Sequence, residues 1–181
     1  LDIAHQKGIQ ITTDPAYRSN LWKYGKNGQE VLKELVGLST IFIGGVNEIN
    51  EILATNFAQD EFIEAAKTLK QQIPSIQKVF DKIRIAPTAS KQITKGRAWS
   101  NDEYFETSAI QIDAAIDRIG TGDAFAAGLI YGLMHFDEQK ALEFANAACA
   151  IKHTYLGDIN LATAEEILEI MNGNLGGRIK R

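Results

Sequence analysis

The run AFAAGLIYGLM, residues 124–134, constrains this chain more than any other stretch. Its eleven residues carry no charge, and apolar side chains recur through it without a polar face. It is far short of the ~20 residues that span a bilayer, so it reads as a buried core helix. Just before it stands DRIGTGD, residues 117–123, with Gly120 and Gly122 in the turn and a lone carboxylate, Asp123, opening the helix. Glycines let a backbone bend tightly and approach a ligand, and the first amides of a helix have no partner within it. Strand, glycine-rich turn and helix in that order make an anion site, where oriented N–H groups and the positive end of a helix dipole meet a phosphate. Asp123 then has two readings. As structure it is an N-cap or first-turn acid, contributing ~1 kcal/mol. As chemistry it is a general base beside the phosphate, taking the proton of a substrate hydroxyl as that oxygen attacks phosphorus.

The rest of the chain alternates strand and helix. LDIAHQKG reads as the end of an amphipathic helix stopped by Gly8, and IQITTD as a buried strand. The first residue is not methionine, and such a helix suits the crossover from an earlier strand, so a fragment lacking its N-terminal portion is expected. Helices are expected at about Gln29–Leu38, Asn47–Leu53 and Asp60–Gln72, with a strand at Thr40–Ile43 and Pro74 as a stop. Lys78–Ile85, Gln92–Trp99 and Glu106–Ile112 are β-like and close together, which suggests an antiparallel meander beside a parallel sheet. Three helices close the chain, at about Gly122–His135, Glu138–Tyr155 and Ala164–Met171. No repeat or linker divides it, so residues 1–181 are expected to form one domain.

With 45% apolar residues and 3 prolines among 181, a sizeable core is affordable. The net charge of −4, with 19 basic residues spread among 23 acidic ones, argues against a nucleic-acid footprint. No leader or membrane span is read in it, so no membrane partner is expected. The single cysteine, Cys149, cannot form an internal disulfide and sits in an alanine-rich helix, which favours a reduced, cytoplasmic setting and a bland core role.

The segment DRIGTGDAFAAG resembles the signature of the ribokinase-like (PfkB-type) carbohydrate kinases. The resemblance implies a three-layer α/β fold, a mostly parallel sheet with helices on both faces, of which this chain would be the C-terminal, nucleotide-binding part. It implies an anion hole built by Gly120, Thr121 and Gly122, with Asp123 as catalytic base, and places Asp117 near a monovalent-cation site such as one for K+. Three further segments, DPAYRSNLW, AWSNDEYFET and AIKHTYLGDIN, resemble the 2-keto-3-deoxygluconate kinases of that family. In that branch Arg18 would reach the sugar acid and phosphate, Ala16 replaces a usual asparagine, and the alternative for Arg18 is a surface ion pair.

The family's N-x-x-E segment, which organises Mg2+ and phosphate, falls on GGVNEINEIL, where Glu48 keeps the acid and Gly45 replaces the asparagine. Asn47 either substitutes for it or only caps a helix, with Asn50 in the first turn. Asn146 takes the position that lines the base pocket, and Ala145, Ala147 and Ala148 either admit a flat adenine or simply pack a helix tightly. Lys152 and His153, at the end of that helix, read as a solvated pair suited to the helix dipole. A usual G-x-x-G turn is missing, and Lys95, Gly96 and Arg97 are the local substitute. The resemblance implies ATP-dependent phosphorylation of the terminal hydroxyl of 2-keto-3-deoxygluconate, with ATP, Mg2+ and the sugar acid as ligands and room for a homo-oligomer. The alternatives are a kinase for a neutral sugar such as ribose or fructose, or a nucleotide-binding module without turnover.

Overall fold

The chain opens on a five-residue helix, α1 (Asp2–Gln6), that ends where Gly8 adopts φ +67°, a left-handed stop that an L side chain resists. The computed structural model describes residues 1–173 other than Tyr17 and Lys26. These residues gather into two units, one of Leu1–Asp81 with Ala98–Phe105, the other of Lys82–Arg97 with the residues from Glu106 onward.

In the first unit, strands β1 (Thr12–Thr13), β2 (Ile41–Ile43) and the start of β3 (Lys78–Ile85) run parallel. Thr12 lies opposite Ile41, and Ile41, Phe42 and Ile43 lie opposite Lys78, Val79 and Phe80. All three residues of β2 are buried, the mark of a central strand covered on both faces. Helices α2 (Gly28–Gly37), α3 (Val46–Leu53) and α4 (Phe62–Gln72) each turn one apolar stripe inward, and α3 packs on both of its neighbours. Leu32, Val36, Ile49, Ile52, Phe62 and Leu69 from these stripes meet Phe42, Val79 and Trp99 in one core.

Several boundaries differ from expectation, and hydrogen bonds explain some of them. Helix α3 starts at Val46 rather than Asn47, because the Glu48 carboxylate accepts the Gly45 N–H at 2.9 Å and fixes Gly45 as the N-cap. The third β segment divides into β5 (Glu103–Glu106) and β6 (Ile110–Ile112). Its early start follows from Asn101 and Asp102, whose positive φ values of 51° and 62° make a tight reversal after β4 (Gln92–Ser100). Its break falls where Thr107 turns its hydroxyl to the Gly96 N–H at 3.0 Å. The strand order is β1-β2-β3-β4-β5, with β6 antiparallel on β4 and Gln92 opposite Ile112.

In the second unit, α5 (Thr121–His135) and α6 (Glu138–Lys152) pack closely, and α7 (Ala164–Met171) packs on α6. The close approach comes from small residues. A Cβ on Gly128 would lie 2.8 Å from that of Ala148, and one on Gly132 would lie 2.7 Å from Ala141 Cα. The uncharged helix is not wholly enclosed, contrary to expectation: Phe125 and Leu129 are buried, whereas Ala127, Ile130 and Met134 on its other side are exposed. Helix α6 ends at Lys152 rather than Tyr155, because the N–H groups of His153, Thr154 and Tyr155 turn to carbonyls three residues back. Among the described residues no helix is long and apolar enough to cross a membrane.

Candidate active site

The turn before α5 is built by one glycine. Gly120 is the N-cap at φ +77°, and a Cβ there would stand 1.9 Å from the Asp158 carbonyl oxygen, so no other residue can seat the turn at this spot. Thr121 turns inward, its hydroxyl donating to the Arg118 carbonyl at 3.0 Å and its N–H reaching the same oxygen at 3.4 Å. The N–H of Ala124 returns to Gly120 at 2.8 Å, as a helix requires. Between them, the N–H groups of Gly122 and Asp123 have no partner among the described residues. Two oriented donors at the positive end of a helix dipole can hold phosphate oxygens with little reorganisation. Of the three residues expected to form an anion hole, Thr121 thus has its amide partly engaged, and Asp123 adds one.

Asp123 is exposed in the first turn of α5. Its carboxylate makes no capping hydrogen bond, and it has no hydrogen-bond partner among the described residues. A carboxylate so placed favours the dipole and is free to accept a proton from a hydroxyl beside the two amides.

Asp117 braces the turn from behind. One carboxylate oxygen accepts the Ile119 N–H at 3.0 Å and the other accepts the Gly157 N–H at 2.9 Å. These two bonds, with the Lys152 charge a smaller contribution, hold the carboxyl below the usual range. The N–H groups of Ile116 and Asp117 both end on the His153 carbonyl, at 2.7 and 3.2 Å.

Lys152 and His153 are not the solvated pair expected from their position at the end of α6; both are fully buried. The Lys152 Nζ donates to the Tyr155 carbonyl at 3.1 Å. The His153 Nδ1 lies 2.8 Å from the Cys149 carbonyl, which makes it the protonated nitrogen and leaves Nε2 a bare acceptor without a hydrogen-bond partner. Burial, with Lys82, Arg84 and Lys152 nearby, pushes its pKa down, so the ring is neutral. Cys149 is the inert core residue expected: burial pushes its thiol up to about 11.

Sequence reasoning missed Lys82. It lies half-buried on β3, and its Nζ stands 3.5 Å from where a Cβ on Gly122 would be. No ion pair holds it among the described residues, so a cation flanks the two open amides. The signal was available in KVFDKIRI, where Lys82 and Arg84 stand two residues apart and so share one strand face.

Asn146 is fully buried, and its amide group donates to the Thr107 hydroxyl at 3.1 Å and the Ser108 carbonyl at 3.2 Å, tying α6 to the β5–β6 break. Only its Oδ1 is left without a partner. Ala145 and Ala148 face Gly128, so of the two readings of these alanines they show the tight helix packing. Lys95, Gly96 and Arg97 lie inside β4 rather than in a turn. Lys95 pairs with Glu106, Gly96 is pressed against Leu142, and Arg97 is buried, so the triplet does not replace the missing glycine turn.

The remaining candidates lie in the first unit. Arg18 is exposed, and its guanidinium forms no ion pair among the described residues. Ala16, where asparagine is usual, has φ +33°, a backbone that asparagine tolerates better than alanine. Glu48 spends one oxygen on Gly45, and Asp81 fills the space that an asparagine would take: a Cβ on Gly45 would stand 2.6 Å from Asp81 Oδ2. Asn47 does not cap α3: it lies inside the helix, its Oδ1 accepting from Gln59 at 2.7 Å, while Asn50 ties down the Phe57 backbone.

Among the described residues no group of three or more His, Cys, Asp or Glu could hold a metal ion. Two carboxylates about one glycine nevertheless fit Mg2+, which binds through one or two carboxylates and completes its shell with water and substrate phosphate.

Comparison with known proteins agrees with this arrangement. The 2-dehydro-3-deoxygluconokinase of Thermotoga maritima superimposes with a TM-score of 0.85 at 28% identity, over 95% of this chain and 53% of that one. The match carries the expected α/β arrangement, a mixed sheet with helices on both sides. An ATP-dependent 6-phosphofructokinase of Thermoanaerobacterium thermosaccharolyticum is 28% identical over 160 residues, 88% of this chain and 45% of that one. A 2-dehydro-3-deoxygalactonokinase of Haloferax volcanii is 24% identical over 178 residues, 98% of this chain and 52% of that one. The chain spans about half the length of these relatives. The model of the pfkB family carbohydrate kinases matches residues 1–165 and takes in both the glycine turn and the Asp123 helix, so the chain belongs to that family.

Proposed function

We propose that the enzyme carrying this chain transfers the γ-phosphoryl group of ATP to the terminal hydroxyl of 2-keto-3-deoxygluconate. The observation that carries this reading is the first turn of α5, which sets the two open N–H groups of Gly122 and Asp123 beside an unengaged carboxylate. The hydroxyl oxygen forms a bond to phosphorus while the bond from phosphorus to the β–γ bridging oxygen breaks, ADP leaves, and the hydroxyl proton passes to Asp123. The Gly120–Asp123 turn receives the charge of the transferring group, and Lys82 adds a cation on its flank. Mg2+, when bound, would neutralise nucleotide phosphate charge, with Glu48 and Asp81 as the residues to hold it. Asn146, at the position that lines the base pocket in the family it resembles, keeps an Oδ1 without a partner among the described residues. The single buried cysteine suits a cytoplasmic enzyme.

The sugar-acid assignment draws on the exposed Arg18, which has no ion pair among the described residues, and on two relatives named for sugar-acid substrates. A guanidinium suits a carboxylate through its planar fork. The phosphofructokinase relative favours a second reading, in which Arg18 meets the phosphate of a sugar phosphate. A coupled phosphorylation assay on the full-length protein, over sugar acids, neutral sugars and sugar phosphates, separates them. Turnover is expected with 2-keto-3-deoxygluconate, and turnover with a sugar phosphate alone would reject the proposal.

Two variants sharpen the assignment. Arg18→Lys keeps the charge and loses the fork, so KM for the sugar acid is expected to rise roughly ten- to a hundredfold while KM for ATP changes little. A loss in kcat for every acceptor would instead put Arg18 on the transferring phosphate. Lys82→Gln removes the flanking cation, and kcat is expected to fall roughly ten- to a hundredfold with sugar KM little changed. Unchanged kcat would leave Lys82 outside the chemistry.

A further inference from the structure

The connection from β1 to α2, residues 14–27, carries Arg18, and most of its described side chains face solvent. Only Pro15 and Trp22 among them are withdrawn from water, one on each side of Arg18. Trp22 packs against the core that holds Leu32 and Val36 of α2. Its ring also lies on Gly28, the first residue of that helix, which is buried beneath it. A Cβ on Gly28 would stand 2.5 Å from Trp22 Cγ and 2.7 Å from Cε2, so no side chain at this position can share the space with the ring. Gly28 is itself held in place, because Asn27 caps α2 and its carboxamide oxygen accepts the Gln29 N–H at 3.1 Å. Glycine adds nothing to helix propensity, so the ring, and not the helix, accounts for its presence here.

Order passes from Trp22 back to Arg18 through one tight turn. Ser19–Leu21 is a single 3-10 turn, and the Leu21 N–H donates to the Arg18 carbonyl at 2.8 Å. On the other side of Arg18, next to Pro15, Ala16 holds φ +33°, a strained backbone that persists only where its surroundings fix it. A long side chain loses rotamer freedom when it grips an anion, and a backbone already in place lowers what remains to be ordered. We propose that Trp22 and Gly28 are positioning residues: the ring seated on the glycine pins the connection to α2 and presents the Arg18 guanidinium to the anionic group of the acceptor. The effect on acceptor binding rests on the reading of Arg18 given above; the pinning of the connection does not.

The test uses the full-length protein. Gly28→Ala puts a methyl group where the ring lies and displaces Trp22, so KM for 2-keto-3-deoxygluconate is expected to rise roughly five- to thirtyfold. KM for ATP and kcat are expected to change by less than about threefold, because only the acceptor meets Arg18. An unchanged acceptor KM, or equal losses toward acceptor and ATP, would overturn the proposal. Trp22→Ala is expected to reproduce the pattern and to abolish the sensitivity at position 28, so that adding Gly28→Ala to it changes nothing further. Independent, additive losses would overturn the proposal. The connection is also read without turnover, by the trypsin cut after Arg18, identified by mass spectrometry. The rate of that cut follows local opening and is expected to rise roughly five- to thirtyfold in Gly28→Ala and in Trp22→Ala. Cleavage after Lys91, in the exposed segment before β4, is expected to stay the same. An unmoved rate at Arg18, or an equal rise at Lys91 that marks general unfolding, would overturn the proposal. If Trp22→Ala does not fold, Gly28→Ala, a change of one methyl group, decides. If the wild type phosphorylates no acceptor offered, the proposed function fails, and the trypsin comparison still judges the pinning.

Discussion

Asp123→Asn is expected to lower kcat by ~10²–10⁴ while nucleotide affinity changes little, because the amide keeps the size and place of the carboxylate but cannot take a proton. The structure sharpens this expectation by weakening the alternative. An acid that stabilises a helix start as a capping-box partner reaches back to the N-cap, and Asp123 makes no such bond. Its remaining structural contribution is the favourable charge near the dipole, at most ~1 kcal/mol at an exposed site. Melting temperature should therefore move by a few degrees at most while turnover collapses. Steady-state kinetics and ATP binding, measured on full-length wild type and variant, check both halves. Near-normal turnover would return Asp123 to a helix-terminal charge.

The second large effect is expected at Gly120. A methyl group there would stand 1.9 Å from the Asp158 carbonyl oxygen, a backbone atom that cannot swing aside, in a conformation of φ +77° that alanine resists. Gly120→Ala should force the turn off the 152–158 segment, shift the Gly122 and Asp123 amides, and lower kcat/KM by ~10²–10³, the usual cost of losing an oriented donor. Gly8→Ala supplies the control. Gly8 has a similar φ of +67° but nothing within 4 Å of the added methyl, so it should cost only the backbone strain, ~1–2 kcal/mol, and leave kinetics intact. Equal kinetic losses in the two variants would show that strain alone, and not displacement of the anion turn, governs the effect.

Much of the fold was legible because local signals agreed with tertiary packing. Lys78–Ile85 and Ala164–Met171 match expectation at both ends, the second because Thr163 and Glu166 form a capping box at its start. Gly8 ended its helix as read, because a left-handed stop is a local matter. Differences fell where a side-chain hydrogen bond, rather than the apolar pattern, decided a boundary. Thr107 broke a strand that its own sequence would continue, and Glu48 moved the start of α3 by one residue.

The candidate site divides along the same line. Sequence alone determined the motif that marks the family, from Asp117 to Asp123, because a glycine at a positive φ, open helix amides and a following acid are contiguous along the backbone. Only the tertiary structure decided what surrounds that turn. Lys152 and His153 belong in water by residue type and helix position, yet both are buried at the end of α6, where the Tyr155 carbonyl accepts from the Lys152 ammonium and the Cys149 carbonyl from the His153 ring. Lys82 arrives beside Gly122 from a strand about forty positions away, and Asp81 fills the space left by Gly45 in the same manner. No periodicity encodes such meetings. They arise when elements far apart in sequence are packed together, and burial then decides which charges are kept dry and what must answer them.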